Sequence, residues 1–295
     1  MASVNLLLPS TYKGSAGALN LKQGEFMIIE ELDFAAMYRE HLQRAERSHK
    51  SAEHWDKRAE KMAESCARPK DSYLEGFFKL MDLSDCDTLL DMGCGPGSVC
   101  LGLADKMQAV YGLDYSSGML EVAKRRANAE GLSNVTLIQR AWEDDWSDIP
   151  VCDIAVASRS TLVGCLKSAL EKLNRQARKR VYTTHTVSST FIDPAIIQAI
   201  GRKVVTLPNY LYAVNILQQM GIKPKVDFIE SSGCMNQAES YAQFEDNVAW
   251  SLGALDDAEK QRLQEYYQRH KQQGKPLRTG DRSWAMVYWD AVALA

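Results

Sequence analysis

Thr88-Leu89-Leu90-Asp91-Met92-Gly93-Cys94-Gly95-Pro96-Gly97 runs from a short apolar segment through one acid into three glycines at alternate positions. A short apolar run suits a parallel strand buried on both faces, and glycines directly after it let the backbone turn sharply and approach a ligand closely. From Ser98 to Lys106 the spacing is helical, with Val99, Leu103 and Lys106 on one side. Strand, glycine turn and helix make the opening unit of a doubly wound α/β sheet, whose ligands sit beyond the carboxyl ends of the strands. Without a ligand, the same residues read as a tight strand-to-helix turn.

A second apolar strand, Ala109 to Leu113, ends at Asp114. A carboxylate there has acceptor sites for two ribose hydroxyls. The dinucleotide fingerprint asks for Gly or Ala three positions after its second glycine, and counted from Gly95 that position is Ser98. The Gly-x-Gly-x-Gly spacing, with Asp91 two residues before it, resembles the first motif of the class I S-adenosylmethionine-dependent methyltransferases, without matching one subfamily. The resemblance implies S-adenosyl-L-methionine as cofactor, Asp91 facing its methionine end and Gly93, Gly95 and Gly97 passing beneath it. A pyrophosphate would instead need a helix N-terminus aimed at it. Tyr115-Ser116-Ser117-Gly118-Met119-Leu120 resembles the family's turn after the second strand, with Met119 packing by the adenine; Met119 equally suits a helix core.

Val135 to Gln139 is a third strand, followed by Arg140-Ala141-Trp142-Glu143-Asp144. The family usually places Asp-Ala after this strand, so the departure at Ala141-Trp142 hands the adenine contact either to Glu143 or, by stacking, to Trp142. Trp142 also reads as a core aromatic. Cys152 to Ala157 forms the fourth strand, and Ser158-Arg159-Ser160 its exit, where the resemblance places the methyl donor and the acceptor. Enzymes that methylate base amino groups often show Asn or Asp, Pro-Pro and an aromatic there, so a nucleobase nitrogen is disfavoured. An arginine beside a sulfonium is costly unless an anion offsets it: either a carboxylate or phosphate on the acceptor, or an internal acid. His185, at the exit of a fifth strand from Arg180 to Thr184, reads as a base or as a packing residue. Tyr210 and Tyr212, opening a helix from Asn209 to Met220, offer an aromatic wall and a hydroxyl to the same pocket. Arg159, His185 and Tyr210 are the catalytic candidates; Asp91, Gly93, Gly95, Gly97, Asp114, Tyr115, Met119, Trp142, Glu143 and Ser158 form the expected cofactor set.

With 295 residues, 45% apolar and 25% charged, the chain has the composition of an ordinary globular protein with a substantial core. Its net charge of -3 points to small-molecule chemistry, since general nucleic-acid binders are more often basic. No apolar run approaches the length of a membrane span. Seven cysteines, at 66, 86, 94, 100, 152, 165 and 234, lack zinc or redox spacing and read as reduced core residues of a cytoplasmic protein. His49 and His54 are five apart, off one helix face, so no metal is expected.

Residues 1–26 lack periodicity, a transit-peptide pattern or a signal core, and read as a flexible arm or an added extension. A helical cap is expected over 27–84. Within it, Phe34, Met37, Leu42 and Ala45 trace one stripe and Trp55, Ala59 and Met62 another; Ser72 and Glu75 form a capping box. His54-Trp55-Asp56-Lys57-Arg58-Ala59 resembles the family's Trp-Asp-x-Arg-Ala segment, and Tyr38 and Trp55 are candidate lid aromatics. The methyltransferase core spans 85–232, a helical insert 233–277 and the last strand 278–295. The fold expected is Rossmann-like, of about seven strands with the last antiparallel. Leu162, Leu166, Leu170 and Leu173 face inward from a helix whose other side carries Lys167, Lys172, Arg175, Arg178 and Lys179, a solvated face or an RNA stripe. The resemblance implies methyl transfer to a small, soluble, anionic acceptor, with RNA methylation or cofactor binding without catalysis as alternatives.

Overall fold

The apolar runs form seven strands of one sheet: β1 (Thr88–Met92), β2 (Ala109–Asp114), β3 (Val135–Gln139), β4 (Cys152–Ala157), β5 (Ala177–Thr186), β6 (Lys225–Ser231) and β7 (Arg282–Asp290). The computed structural model describes residues 28–45, 50–66, 71–231, 238, 240–275 and 282–293; the expected arm, His49 and Cys234 lie outside them. The strand order is β3-β2-β1-β4-β5-β7-β6, with β1 to β5 parallel and β7 antiparallel to both its neighbours. This is the Rossmann-like arrangement with an inserted antiparallel last strand. Strand β5 is longer than its apolar centre suggests. Arg178 and Lys179 therefore belong to it rather than to a helical stripe, and His185 lies inside it.

The strands' two-residue alternation separates two cores. Leu90 and Met92 pack with α6 (Leu166–Gln176) and α8 (Tyr210–Gln219) on one face of the sheet. Leu89 packs on the other face with α4 (Ser72–Leu80) and the residues after the glycine turn. A third cluster joins α7 (Pro194–Ala199), α9 (Tyr241–Leu252) and α10 (Asp257–Gln272). Contacts divide the chain into Met1–Asp33, whose described part holds a 3-10 turn at Ile29–Glu31, and Phe34–Ala295. The helices from Phe34 onward, the sheet and the segment between β6 and β7 thus belong to one unit.

The N-terminal helices are α1 (Phe34–Arg44), α2 (Ala52–Asp56) and α3 (Ala59–Cys66), followed by α4. The stripe of Trp55, Ala59 and Met62 breaks at Lys57 and Arg58, yet all three pack with Met119 and Val122 of α5 (Ser117–Ala129). Asp56 explains the break. Its Oδ1 accepts from Ser116 Oγ at 2.6 Å and Gly118 N at 2.9 Å, so the end of α2 docks on the N-terminus of α5. Helix α4 is capped by Asp71, whose carboxylate accepts from Tyr73 N, and Ser72 is its first residue rather than its cap. Cys86, Cys94, Cys100 and Cys152 are buried as expected, but Cys165 is exposed because it precedes the inward face of α6.

A Cβ on Gly118 would lie 2.8 Å from Asp56 Cα, a backbone atom that cannot move aside. Gly118→Ala, which in an exposed helix usually stabilises by about 1 kcal/mol, should instead destabilise by about 1–3 kcal/mol through overpacking. Urea unfolding checks the sign.

Candidate functional site

The glycine turn is held by backbone bonds to the neighbouring strand. Gly93 N and Cys94 N both donate to Leu113 O, at 2.7 and 2.9 Å. Asp114 ties the two motifs together, Oδ2 accepting from Gly95 N and Oδ1 from Ser116 N, each at 2.9 Å. Gly93 adopts φ 72°, and a Cβ there would lie 2.4 Å from the Ser160 side chain, whose Oγ donates to Met92 O. The first glycine is therefore required by the exit of β4 pressing against the turn.

Ser98 to Lys106 is not the continuous α-helix its spacing predicts; it forms turns and one 3-10 segment, Ala104–Lys106. The reason lies in Asp91. Cys100 N, which would bond Pro96 O in a helix, donates instead to Asp91 Oδ2 at 3.1 Å, and Pro96 O accepts from Arg126 Nη1. Asp91 is 1% exposed and its Oδ1 has no partner. Burial, reinforced by nearby Asp114, pushes its pKa up to about 7 against the pull of the Cys100 N–H and Arg159.

A cavity of about 530 Å³ opens above this turn. Asp91, Gly93, Gly95, Asp114, Tyr115, Met119, Trp142 and Ser158 line it, as do Arg159 and His185. Three expected residues do not. Gly97 faces the turn's own packing, where a Cβ would meet Leu101 at 2.6 Å. Glu143 is exposed, while Trp142 stacks on Trp146 at 5.5 Å and presents its other side to the cavity. Tyr210 turns to Phe228, with ring centroids 5.6 Å apart, and Tyr212 to Tyr38 and His41. Residues two apart on a helix cannot share a face, so the pair does not make one wall. Pro208 and Asn209 line the cavity in their place.

His185 is fully buried, and burial lowers its pKa to about 3, so the ring is neutral. Its Nδ1 lies 3.1 Å from Thr161 Oγ1 and its Nε2 2.9 Å from Thr183 Oγ1. With both nitrogens engaged, it positions Thr161 and is not poised as a base. Tyr73 and Thr184 were not singled out by the sequence. Tyr73 OH lies 2.7 Å from Ser158 Oγ and 2.8 Å from Thr184 Oγ1, and its ring carries the Arg159 guanidinium 4.3 Å above its centroid. Thr184 Oγ1 also accepts from Arg159 N at 2.8 Å, holding that residue in the left-handed region at φ 57°. The only advance signal was a tyrosine on the apolar stripe of α4. Over the cavity, Tyr38 OH donates to Val163 O and accepts from Val163 N, clamping the loop after β4, and Leu42, Lys50, Trp55 and Met62 complete that side.

A methyltransferase domain family matches residues 83–211. An uncharacterized protein of Haemophilus influenzae is 38% identical over 265 residues, covering 90% of this chain and 98% of that one. A 23S rRNA (uracil(1939)-C(5))-methyltransferase of Aliivibrio fischeri is 38% identical over 68 residues, 23% of this chain and 16% of that enzyme. The Haemonchus contortus phosphoethanolamine N-methyltransferase 2, solved with phosphomonomethylethanolamine and S-adenosylhomocysteine, superposes with a TM-score of 0.51 at 15% identity, covering 87% of this chain and 61% of that one. The chain belongs to the class I S-adenosylmethionine-dependent methyltransferases, and S-adenosyl-L-methionine is its cofactor. The residues present fit that group: Asp91, whose buried Oδ1 lacks a hydrogen-bond partner, is among the residues lining the cavity, and beside it a Cβ on Gly95 would meet nothing nearer than Met119 Sδ at 4.0 Å. Among the described residues no cluster suits a metal ion, and no helix is long and apolar enough to cross a membrane.

A cationic amine docking on Asp91 needs the carboxylate ionised, so binding below pH 7 must displace a proton. S-adenosylhomocysteine affinity should rise about tenfold per pH unit from pH 5 to 7 and level off above it. Calorimetry across that range checks this, and Asp91→Asn should bind weakly with no such slope. Amide exchange around Tyr38 and Trp55 should slow when S-adenosylhomocysteine is added, because these helices cover the cavity; equal exchange with and without ligand would mark them as plain packing elements.

Proposed function

We propose that this protein transfers a methyl group to a small, anionic, soluble acceptor in the cytoplasm, and that the observation carrying this is Arg159. Its guanidinium faces the cavity at the exit of β4, braced by the Tyr73 ring, on a backbone conformation that costs about 1–3 kcal/mol for a non-glycine residue. Such a strained placement is retained where the side chain has a task. A guanidinium presents its N–H donors in the planar fork that takes a carboxylate or phosphate, the group this reading gives the acceptor.

In this reading Asp91 holds the cofactor's amine, Asp114 its ribose, and Met119 and Trp142 its adenine, while Gly93 and Gly95 keep the backbone low beneath it. When bound, the sulfonium supplies an activated methyl group whose leaving group is a neutral thioether. The chain's own work is then to hold the acceptor in line and to exclude water. Ser158, Ser160 and Thr161 offer hydroxyls beside Arg159, and the Tyr38 clamp closes the loop that carries them. His185, neutral and doubly engaged, keeps Thr161 in place.

RNA is the alternative acceptor, and the α6 surface argues against it. Lys172 Nζ donates to the Trp142 and Asp144 carbonyls, each at 2.6 Å, and Lys167 pairs with Glu171 at 4.0 Å. These charges serve the fold rather than a phosphate backbone.

Incubating a metabolite extract with isotope-labelled methyl donor identifies the acceptor by its mass shift. Arg159→Ala should then raise the acceptor KM by roughly 10- to 100-fold, the equivalent of losing a hydrogen bond to a charged group, and leave S-adenosylhomocysteine affinity nearly unchanged. An acceptor with no negative charge would overturn the proposal.

A further inference from the structure

Beside the cofactor cavity lies a second hollow, of about 780 Å³, bounded by the α2–α3 segment, the chain from Thr190 to Leu207 and the end of α9. Lys50 and Phe191 line both hollows, so the two are neighbours across a shared wall. Among the described residues, every charged side chain lining the second is cationic: Lys50, Arg58, Arg202 and Lys203. Arg202 is already committed to Glu259, at 2.6 and 2.8 Å, and to the carbonyls of Leu252 and Ala254. Among the described residues lining the space there is no carboxylate beside Arg58 and Lys203.

Arg58 is built in rather than solvated. Its guanidinium lies 4.3 Å over the Trp250 ring, and its Nη1 lies against the His54 imidazole, 2.8 Å from Nδ1 and 2.5 Å from Nε2. Burial, then the charges of Lys50, Arg58 and Lys57, hold the imidazole's pKa below the ordinary value. Burial also lowers the pKa of Arg58, with no carboxylate working against it. A planar guanidinium fixed on an indole face keeps its outer N–H groups aligned in the ring plane, the geometry that takes two oxygens of one oxyanion. Lys50, whose Nζ lies 5.6 Å from the Trp55 ring and 5.7 Å from that of Trp250, adds its charge at the junction of the hollows.

We propose that the second hollow is an anion site, gripping a phosphate or similar oxyanion at the far end of the methyl acceptor through Arg58, Lys203 and Lys50. The proposal rests on the first cavity holding cofactor and acceptor head. It adds that the acceptor is long enough to reach past Phe191 and carries a second anionic group beyond the one met by Arg159.

Pyrophosphate titrated into the protein saturated with S-adenosylhomocysteine, followed by calorimetry and tryptophan fluorescence, tests it. Saturable binding is expected, weakened at least tenfold by Arg58→Gln and by Lys203→Gln, with Arg58→Lys intermediate. Lys203 is exposed and its substitution spares the Trp250 stack, so misfolding cannot mimic the result. S-adenosylhomocysteine should bind both variants as it binds the wild type; if it binds none of the three, the cofactor reading fails instead. Pyrophosphate binding that is absent, or indifferent to both variants, overturns the site. If pyrophosphate also inhibits labelled-methyl incorporation from the extract, the oxyanion belongs to the acceptor; binding without inhibition assigns the hollow to a free anion and overturns the acceptor link. A ten-nucleotide RNA that displaces pyrophosphate and needs the same two residues overturns the small-molecule form.

Discussion

The buried carboxylate of Asp91 sets the geometry around it. An acid at the end of a central strand is expensive to bury unless its oxygens find donors. One oxygen takes the Cys100 N–H, and that one bond breaks the ladder that would have made Ser98 to Lys106 a regular helix. Pro96 O, left without its helical donor, is met by Arg126 from α5, which ties the turn to the helix after β2. The other oxygen is buried without a hydrogen-bond partner, and Asp91 is among the residues lining the cavity. The carboxylate therefore sits half-compensated, its pKa raised to about 7.

The same economy recurs at the exit of β4. Ser160 packs so closely on the glycine turn that position 93 admits no side chain, and Thr184 holds the Arg159 N–H. The turn after β1 and the turn after β4 are thus mutually dependent. Displacing either moves Asp91 and Arg159, the groups proposed for cofactor and acceptor, together. Coupled placement of two ligand-binding groups through short backbone contacts is how a fold holds reactants in line with little freedom to misalign.

Much of this was legible in the chain. The strands were, because buried parallel strands write themselves as short apolar runs, and so were the paired acids Asp91 and Asp114, which terminate them. What the sequence hid are the features set by long-range contacts. The break between α2 and α3 follows from Asp56 finding the N-terminus of α5, residues far away in the chain. His185 looked like a group at a strand exit, but β5 runs on past it, and two threonines on separate elements occupy its nitrogens. Tyr73 looked like one more apolar position on α4, and only the sheet brings its hydroxyl to Ser158 and Thr184. Glycine at 97, expected beneath the cofactor, instead relieves Leu101, a contact the sequence does not display.

The cationic and aromatic cluster of Lys50, His54, Trp55, Arg58 and Trp250 has a consequence for specificity. It joins α2 and the segment before α3 to α9, so the N-terminal helices and the insert meet each other as well as the sheet. Among the described residues, those lining the second hollow come from the N-terminal segments, the chain from Thr190 to Leu207 and the end of α9, not from the strand ends that carry the glycine turn. The glycine turn and Arg159 thus come from the strand ends, and the second hollow from other stretches of the chain. A fold that hosts many chemistries on one cofactor site can change its acceptor by altering such segments without touching the glycine turn, and in this protein those segments bring Arg58 and Lys203 to the second hollow.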